Sequence, residues 1–380
     1  MRIFFLIIFG VYGGMHVYAF VRARTALGFG PGTGIVLAIF MLLMVVAIFI
    51  VRLLEIHEYE RTARFLAYLA YFWMALLFLF FCGSLVIDIL NLFIRGSGRM
   101  ARMNIGSIII MPRTSFFFSI GLALVISVYG YFEALSIGTE HVRIVTTKLP
   151  AGTDRVTVVQ VTDVHLGLIV RHDRLQKMLE VVNAAKPDIL VSTGDLVDAQ
   201  INKLSGLAGL LKDIKPIYGK YAITGNHEYF AGIEKSIAFT KECGFRVLRN
   251  EAVTAGPITV IGVNDRTGVR LGLERPVDEK TLFTGVPRDK FILLLKHQPL
   301  IDTASLGLFD LQISGHTHKG QIFPFTLLTL LTYPLNAGDY SLGKGSLLHV
   351  SRGTGTWGPP IRFLSPPEVT IYEIVRKGVS

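Results

Sequence analysis

The sequence predicts an N-terminal α-helical transmembrane bundle of about four spans, followed by an α/β domain built on a buried sheet. Apolar residues crowd the chain before about residue 135, in runs as long as a bilayer is thick. From Val156 onward, short β-branched runs alternate with helical patterns, as in layered α/β domains. Several of those runs end in Asp, Asn or His, at the strand edge where open α/β sheets bind ligands.

The first part rests on composition. Of the 380 residues 51% are hydrophobic and the mean hydropathy is +0.51, too high for a soluble enzyme of this size. Four runs account for the excess, at about Ile3–Phe20, Ile35–Val51, Phe65–Ile94 and Phe116–Ala134. Each is near or above the roughly 18 to 20 residues that cross a bilayer as a helix. Arg2 before the first run gives it the outline of a signal peptide. The run outlasts an ordinary h-region, however, and Tyr18-Ala19-Phe20-Val21-Arg22 lacks a small-x-small cleavage pattern, so a retained helix is expected. The third run is long enough to tilt or to extend past the membrane. A span at Leu66–Val86 would leave Asp88 at the interface.

The expected organisation is therefore a transmembrane anchor over 1–134, a linker over 135–155 carrying Pro150-Ala151-Gly152, and an α/β domain over 156–380. Arg95, Arg99, Arg102 and Arg113 lie between the third and fourth runs without an acid, whereas 52–64 mixes three arginines with Glu55, Glu58 and Glu60. Arginine density puts the third loop in the cytoplasm. The chain is then a multi-pass cell-membrane protein with its C-terminal domain outside the cytoplasm, although Arg2, Arg143 and Lys148 pull the other way.

A net charge of +10 and a pI near 9.6 do not signal nucleic-acid binding, because the basic residues are scattered or flank the apolar runs. A basic membrane protein is expected to favour anionic lipid. The only cysteines, Cys82 and Cys243, make neither a disulfide framework nor a thiolate metal site.

In the α/β part, Asp173 begins a helix over Leu175–Ala185, with Gln176 as capping-box partner. Short helices are expected at Leu207–Lys212 and Ile233–Cys243, and strands at Phe245–Arg249, Ile258–Val263, Leu347–Ser351 and Val369–Ile374. Five further strand ends carry the chemistry. Val156–Val161 stops at Thr162-Asp163-Val164-His165, and Ile189-Leu190-Val191 runs into Gly194-Asp195. Tyr221-Ala222-Ile223 delivers Gly225-Asn226-His227-Glu228, Phe291–Leu295 delivers His297, and Leu311-Gln312-Ile313 delivers Gly315-His316-Thr317-His318. Oxygen and imidazole donors of this kind suit divalent first-row metals.

The ordered set D-x-H, GD-x-x-D, GNHE, H and GHTH resembles the calcineurin-like metallophosphoesterase superfamily over roughly Val156–Ile374. GHTHKGQ and the later VSRGTGTWGPPIRFLSPPEV (Val350–Val369) are similar to its membrane-associated bacterial branch. One departure is Lys319, where that branch usually has Gly; it adds a cation and a side chain beside the site.

The resemblance implies a four-layer sandwich, two sheets packed face to face with helices outside. It also implies two divalent ions (Mn, Fe, Zn or Co), with Asp163, His165 and His318 on the first, Asn226, His297 and His316 on the second, and Asp195 bridging. One carboxylate between two cations holds them close enough to share a hydroxide whose pKa they lower toward neutrality. The implied activity is phosphoester hydrolysis, as a phosphodiesterase or phosphatase, with Asp195 and His227 as catalytic groups. Successive side chains at a strand end diverge, so with Asn226 aimed at the metals His227 faces substrate, as general acid or transition-state donor. Glu228 orients it or supports a ligand from behind. Asp198 reads as a helix cap or a similar support, and His172 and His349 match no block.

Two other function classes compete. A sensor or scaffold that binds metal without turnover would usually have lost a ligand, and here all seven stand with the acid histidine. A transporter is a poor fit to four spans with at most one polar group. The expected partners are a phosphoester substrate, lipid-linked or otherwise, and membrane lipid. The charge-free stretch Ile322–Pro334 reads equally as a buried strand or as an apolar lip at the mouth of the site, with Lys319 and Arg352 drawing in phosphate.

Overall fold

The computed structural model describes residues 2–102, 106–198 and 204–378, in two compact units: Met1–Phe132 with Gly358–Ile361, and Glu133–Trp357 with Arg362–Ser380.

The first unit is helical: α1 (Arg2–Leu27), α2 (Pro31–Ile56), α3 (Glu60–Ala101) and α4 (Pro112–Leu135). Among the described residues α2, α3 and α4 are long and apolar enough to cross a membrane; the side chains of residues 1–8, where the first expected span begins, lie outside the described residues. Pro31 opens α2, where its fixed φ suits a first turn and its missing N–H is not needed. α3 continues without a break for 42 residues, about 63 Å at ~1.5 Å per residue, twice a hydrocarbon core. Arg95 and Arg99 therefore stand on this helix rather than in a loop, and residues 103–105 of the expected arginine loop lie outside the described residues. Ala63, Ala67 and Ala70 are fully buried along one stripe of α3, the small-residue pattern that lets helix backbones approach. Asp88 is not left to solvent: it pairs with Arg22 at 2.9 Å and accepts the Tyr18 hydroxyl at 2.6 Å.

The second unit holds two six-stranded sheets. Its strands are β1 (Gly138–Thr146), β2 (Arg155–Val161), β3 (Ile189–Ser192), β4 (Lys220–Ala222), β5 (Arg246–Val247), β6 (Glu251–Ala255), β7 (Ile258–Gly262), β8 (Ile292–Leu295), β9 (Leu311–Ser314), β10 (Gly338–Gly343), β11 (Ser346–Val350) and β12 (Glu368–Arg376). One sheet runs β1-β12-β2-β3-β4-β5 and the other β10-β11-β9-β8-β7-β6. The helices are α5 (His172–Ala184), α6 (Ser205–Lys212), α7 (Asn226–Ala231), α8 (Ile233–Glu242), α9 (Thr267–Arg270) and α10 (Phe325–Thr332). Parallel pairing joins β2 to β3, β4 and β5, and β7 to β8, β9 and β11, so the carboxyl ends of β2, β3, β4, β8 and β9 open on one edge.

Three apolar clusters make the layers. Val158, Ile189 and Val191 of the first sheet meet Val260, Leu293, Leu295 and Ile313 of the second in a shared inner core. Val159, Val161 and Leu190 face the other way, against Leu175, Met178 and Val182 of α5. A strand buried on both faces has no polar side to spare, which is why β3 reads as an unbroken apolar run. Outside the second sheet the cover is thin. Ile292 and Leu294 pack under Phe283 and Phe309, from a 3-10 turn and a loop rather than from long helices.

Three local expectations are corrected. The segment read as a linker contains β1, whose partner β12 lies far along the chain. Asp173 and Gln176 form no capping box: Arg171 takes the cap position without a side-chain capping bond, and Gln176 donates to Glu180. The Ile322–Pro334 stretch is no strand, because its centre is α10, no residue of which is buried.

Candidate metal centre

The strand-end residues meet at one place. Leaving their strands, Asp163, His165, Asp195, His316 and His318 all adopt positive φ, between 47° and 71°, a region that side-chain-bearing residues avoid. Such strain collects where surrounding structure imposes it for function. Glycine makes the convergence possible. A Cβ on Gly315 would stand 2.2 Å from both Asp163 Oδ2 and Thr162 Oγ1, and one on Gly194, itself at φ +96°, would meet the Gly225 backbone N at 2.6 Å.

The donor atoms fall into adjoining groups: Asp163, His165 and His318; His165, Asp195 and His227; Asp195, His297 and His316. His165 Nε2 lies 3.1 Å from His318 Nε2 and 3.8 Å from Asp195 Oδ2, and His318 Nε2 lies 3.5 Å from Asp163 Oδ1. On the other side His297 Nε2 lies 3.3 Å from the same Asp195 Oδ2, 3.1 Å from Asn226 Oδ1 and 3.1 Å from His316 Nδ1. Donors at ~2.1 Å from one ion are separated by roughly 3.0 to 3.4 Å at right-angle to tetrahedral geometry, so most of these spacings are those of a shared cation. Asp195 Oδ2 faces both groups, while its Oδ1 accepts the His227 N–H at 2.8 Å.

Supporting bonds aim the rings. His297 Nδ1 is 2.9 Å from the Thr193 carbonyl, to which only an N–H can donate, so the Nε2 lone pair points into the site. The Tyr333 hydroxyl donates to Gln298 Oε1 at 3.0 Å and must therefore accept from His316 Nε2 at 2.9 Å. That leaves the lone pair of His316 on Nδ1. Gln298 in turn donates to Asp265 at 2.8 Å, which anchors the chain of bonds in β7's outgoing loop. Two ring nitrogens thus face each other across 3.1 Å, an arrangement that repels unless a proton or a metal ion lies between them.

Electrostatics agree with ligation. Burial lowers His165 to about 4 and His316 to about 3, and burial with the nearby Arg362 cation lowers His318 well below the usual range, so all three are neutral donors near neutral pH. Burial would raise the Asp195 carboxyl, yet His297 and His227 hold it well below the ordinary carboxylate range. Burial does raise Asp163. His297 is pushed up by Asp195 against the effect of burial; a cation between them would take that proton's place.

His227, expected to face substrate rather than metal, shares a donor group with His165 and Asp195. Its Nδ1 lies 3.0 Å from Asp198 Oδ1, and its ring packs edge-on against His165, Phe230 and Trp357. Burial would lower it, but Asp195 and Asp198 raise it to about 9. Asp198 is thus the group that orients His227, not a helix cap. Glu228 lies behind the ligand Asp195, the second of its two expected roles: Oε2 accepts the N–H groups of Gly225 at 2.7 Å and Asp195 at 2.9 Å, and Oε1 that of Leu196 at 2.8 Å. It ties the two ligand-bearing loops together.

The two expected phosphate readers differ. Lys319 sits beside His318 at φ +49°, the left-handed region where glycine is at ease, which accounts physically for glycine as the usual residue there. Arg352 is already engaged: its guanidinium is held by Glu368, by Glu140 at 3.2 Å and by the Pro366 carbonyl. Sequence reasoning missed Arg266, which follows β7 and whose charge acts on Tyr333 and His316; the strand end Asn264-Asp265-Arg266 was its signal. It also missed Arg362, fully buried, with Nη2 3.0 Å from His318 Nδ1 and with the carbonyls of Arg352, Gly355 and Ser365 around it. Nothing in the local pattern marks that arginine as buried.

Comparison with known proteins agrees with this geometry. Residues 156–320 match the family model described as calcineurin-like phosphoesterase. A metallophosphoesterase of Aquifex aeolicus is 41% identical over 260 residues, 68% of this chain and 99% of that one. One of Bacillus subtilis is 32% identical, over 64% of this chain and 87% of its own. A zebrafish "transmembrane protein with metallophosphoesterase domain" is 32% identical over 66% of this chain and 60% of its own length.

Proposed function

The chain belongs to the calcineurin-like phosphoesterase family, and from that premise we propose that it is a membrane-anchored hydrolase of phosphoesters working with two divalent metal ions. Asp163, His165 and His318 would hold one ion and Asn226, His297 and His316 the other, with Asp195 available to both. The observation that carries this is the pair of inward ring nitrogens, His297 Nε2 and His316 Nδ1, fixed by Thr193 and Tyr333. When bound, such ions supply Lewis acidity toward a phosphoryl oxygen and make a water acidic enough to attack near neutral pH.

The protein's own groups do the rest. Asp198 holds His227 protonated through Nδ1, so Nε2 is free to donate to the leaving oxygen. Arg266 and Lys319 bring positive charge to the phosphate. The arginines at 95, 99, 102 and 113 favour a metal domain outside the cytoplasm.

The test is turnover of bis-p-nitrophenyl phosphate by the full chain with Mn, Fe, Co or Zn, beside measured metal content. Asp195→Asn is expected to remove almost all turnover and lower bound metal. His227→Ala is expected to keep its metal and slow hydrolysis by roughly 10² to 10⁴. Full activity in metal-replete Asp195→Asn would refute the two-metal reading.

A further inference from the structure

The segment that follows the metal ligands is a helix with no inside. α10 has eight residues, none charged and none buried. Leu327 is 56% and Leu331 82% exposed, and Leu328 and Leu330 are exposed with them. Isolated leucines are ordinary on a surface, but a contiguous group of this kind marks a place where something binds.

The helix is built into the metal centre at both ends. Thr326 Oγ1 donates to the Lys319 carbonyl at 2.8 Å, one residue from His318, and the Tyr333 hydroxyl meets His316 Nε2 at 2.9 Å. Beside His227 stands Trp357, 53% exposed, with ring centroids 6.0 Å apart. Gln321 fixes that segment with two bonds of 2.9 Å, to the Trp357 carbonyl and from its N–H. Apolar surface therefore adjoins the site from α10 and from Trp357, with the Lys319 cation next to the ligand His318 and the Arg266 charge acting on His316.

A second copy, another protein or a lipid would each cover leucine. The chain itself favours lipid. Three of its helices are long and apolar enough to cross a membrane, and such an anchor would hold this domain at a bilayer. A charge-free leucine surface next to cations also complements a molecule with an anionic head and an apolar tail. An exposed tryptophan suits the boundary where one end is apolar and the other wet.

Resting on the hydrolase reading above, we propose that α10 and Trp357 form a lipid-docking lip, and that the substrate is a phosphoester carrying an acyl or alkyl tail. The phosphate enters the metal centre while the tail lies along α10.

The full chain in proteoliposomes is given p-nitrophenyl methyl phosphate and p-nitrophenyl hexadecyl phosphate, which share the reacting bond and differ only in the tail. The expected result is a preference of at least ~10-fold in kcat/KM for the hexadecyl ester, lost in Leu327→Asp/Leu331→Asp while the methyl ester is turned over as before. Equal turnover of both esters by the unmutated chain would overturn the lip and leave the hydrolase standing. Equal loss of both in the double variant would overturn it too, making α10 a structural element. A second readout needs no turnover: a bimane label on Leu331→Cys, with Cys82→Ser and Cys243→Ser, is expected to be quenched by doxyl-labelled phosphatidylcholine. Absence of quenching overturns docking, and disulfide-linked dimers in its place assign the surface to a second copy. Quenching without hydrolysis of either ester by metal-loaded protein would sustain the lip while the hydrolase reading, and the substrate with it, falls.

Discussion

Glu228→Gln tests whether the metal centre is held together from behind. The carboxylate is buried and receives two backbone N–H groups on each oxygen: those of Gly225 and Asp195 on Oε2, and those of Leu196 and, at 3.3 Å, Val197 on Oε1. Glutamine keeps the shape but turns one oxygen into an NH₂ group, so one pair of N–H donors must face another donor. Each buried donor left without an acceptor costs about 1 to 3 kcal/mol, so the pair costs about 2 to 6 kcal/mol. Against a total stability of about 5 to 15 kcal/mol, that is a large share. Burial and the Asp195 charge raise Glu228 to about 7, so the measurement belongs at pH 8, where the carboxylate is ionised. Urea unfolding read by Trp357, in a Trp73→Phe background, follows this unit alone. Because two of the lost bonds hold either Asp195 and Gly225 or the residues after Asp195, metal affinity and turnover are expected to fall with stability. A change below about 1 kcal/mol with metal content intact would show that the loops do not depend on this carboxylate.

Further outcomes follow from the same geometry. Gly315→Ala puts a Cβ 2.2 Å from Asp163 Oδ2; loss of bound metal and about 1 to 3 kcal/mol of stability are expected, and a fully metal-loaded, active variant would contradict the packing. His349 is raised above its ordinary value because Asp339, 2.7 Å away, and Glu368 outweigh burial. A raised folded value means that its stabilisation is complete below about pH 6.5 and is lost as pH climbs through that higher value, so the stability gap to His349→Leu should narrow on raising the pH. A gap that is flat or widens would rule this out. For topology, a cysteine at Ser107 is expected to be shielded from an impermeant thiol reagent in intact cells and one at Gly378 to be labelled; the reverse pattern puts the metal domain in the cytoplasm.

The ligand set was legible because each donor sits within five residues of the end of a β-branched run, and strand polarity alone sends such ends to one edge. The apolar helices were legible for a similar reason, since length and hydropathy are properties of contiguous sequence. What escaped depends on partners far along the chain. β1 looked like a linker because only pairing with β12 makes it a strand. Asp198 read as either a cap or a supporting group until His227, folded over from the end of β4, came within 3.0 Å. Arg352 and Arg266 differ because Glu140 and Glu368 engage the first, while the charge of the second acts on Tyr333 and His316. The tautomers of His297 and His316 are decided by Thr193 and by Tyr333, 104 and 17 residues away. Side-chain chemistry and periodicity are written locally, whereas the direction of a lone pair or the neutralisation of a charge is a fact about which distant groups the fold brings to it.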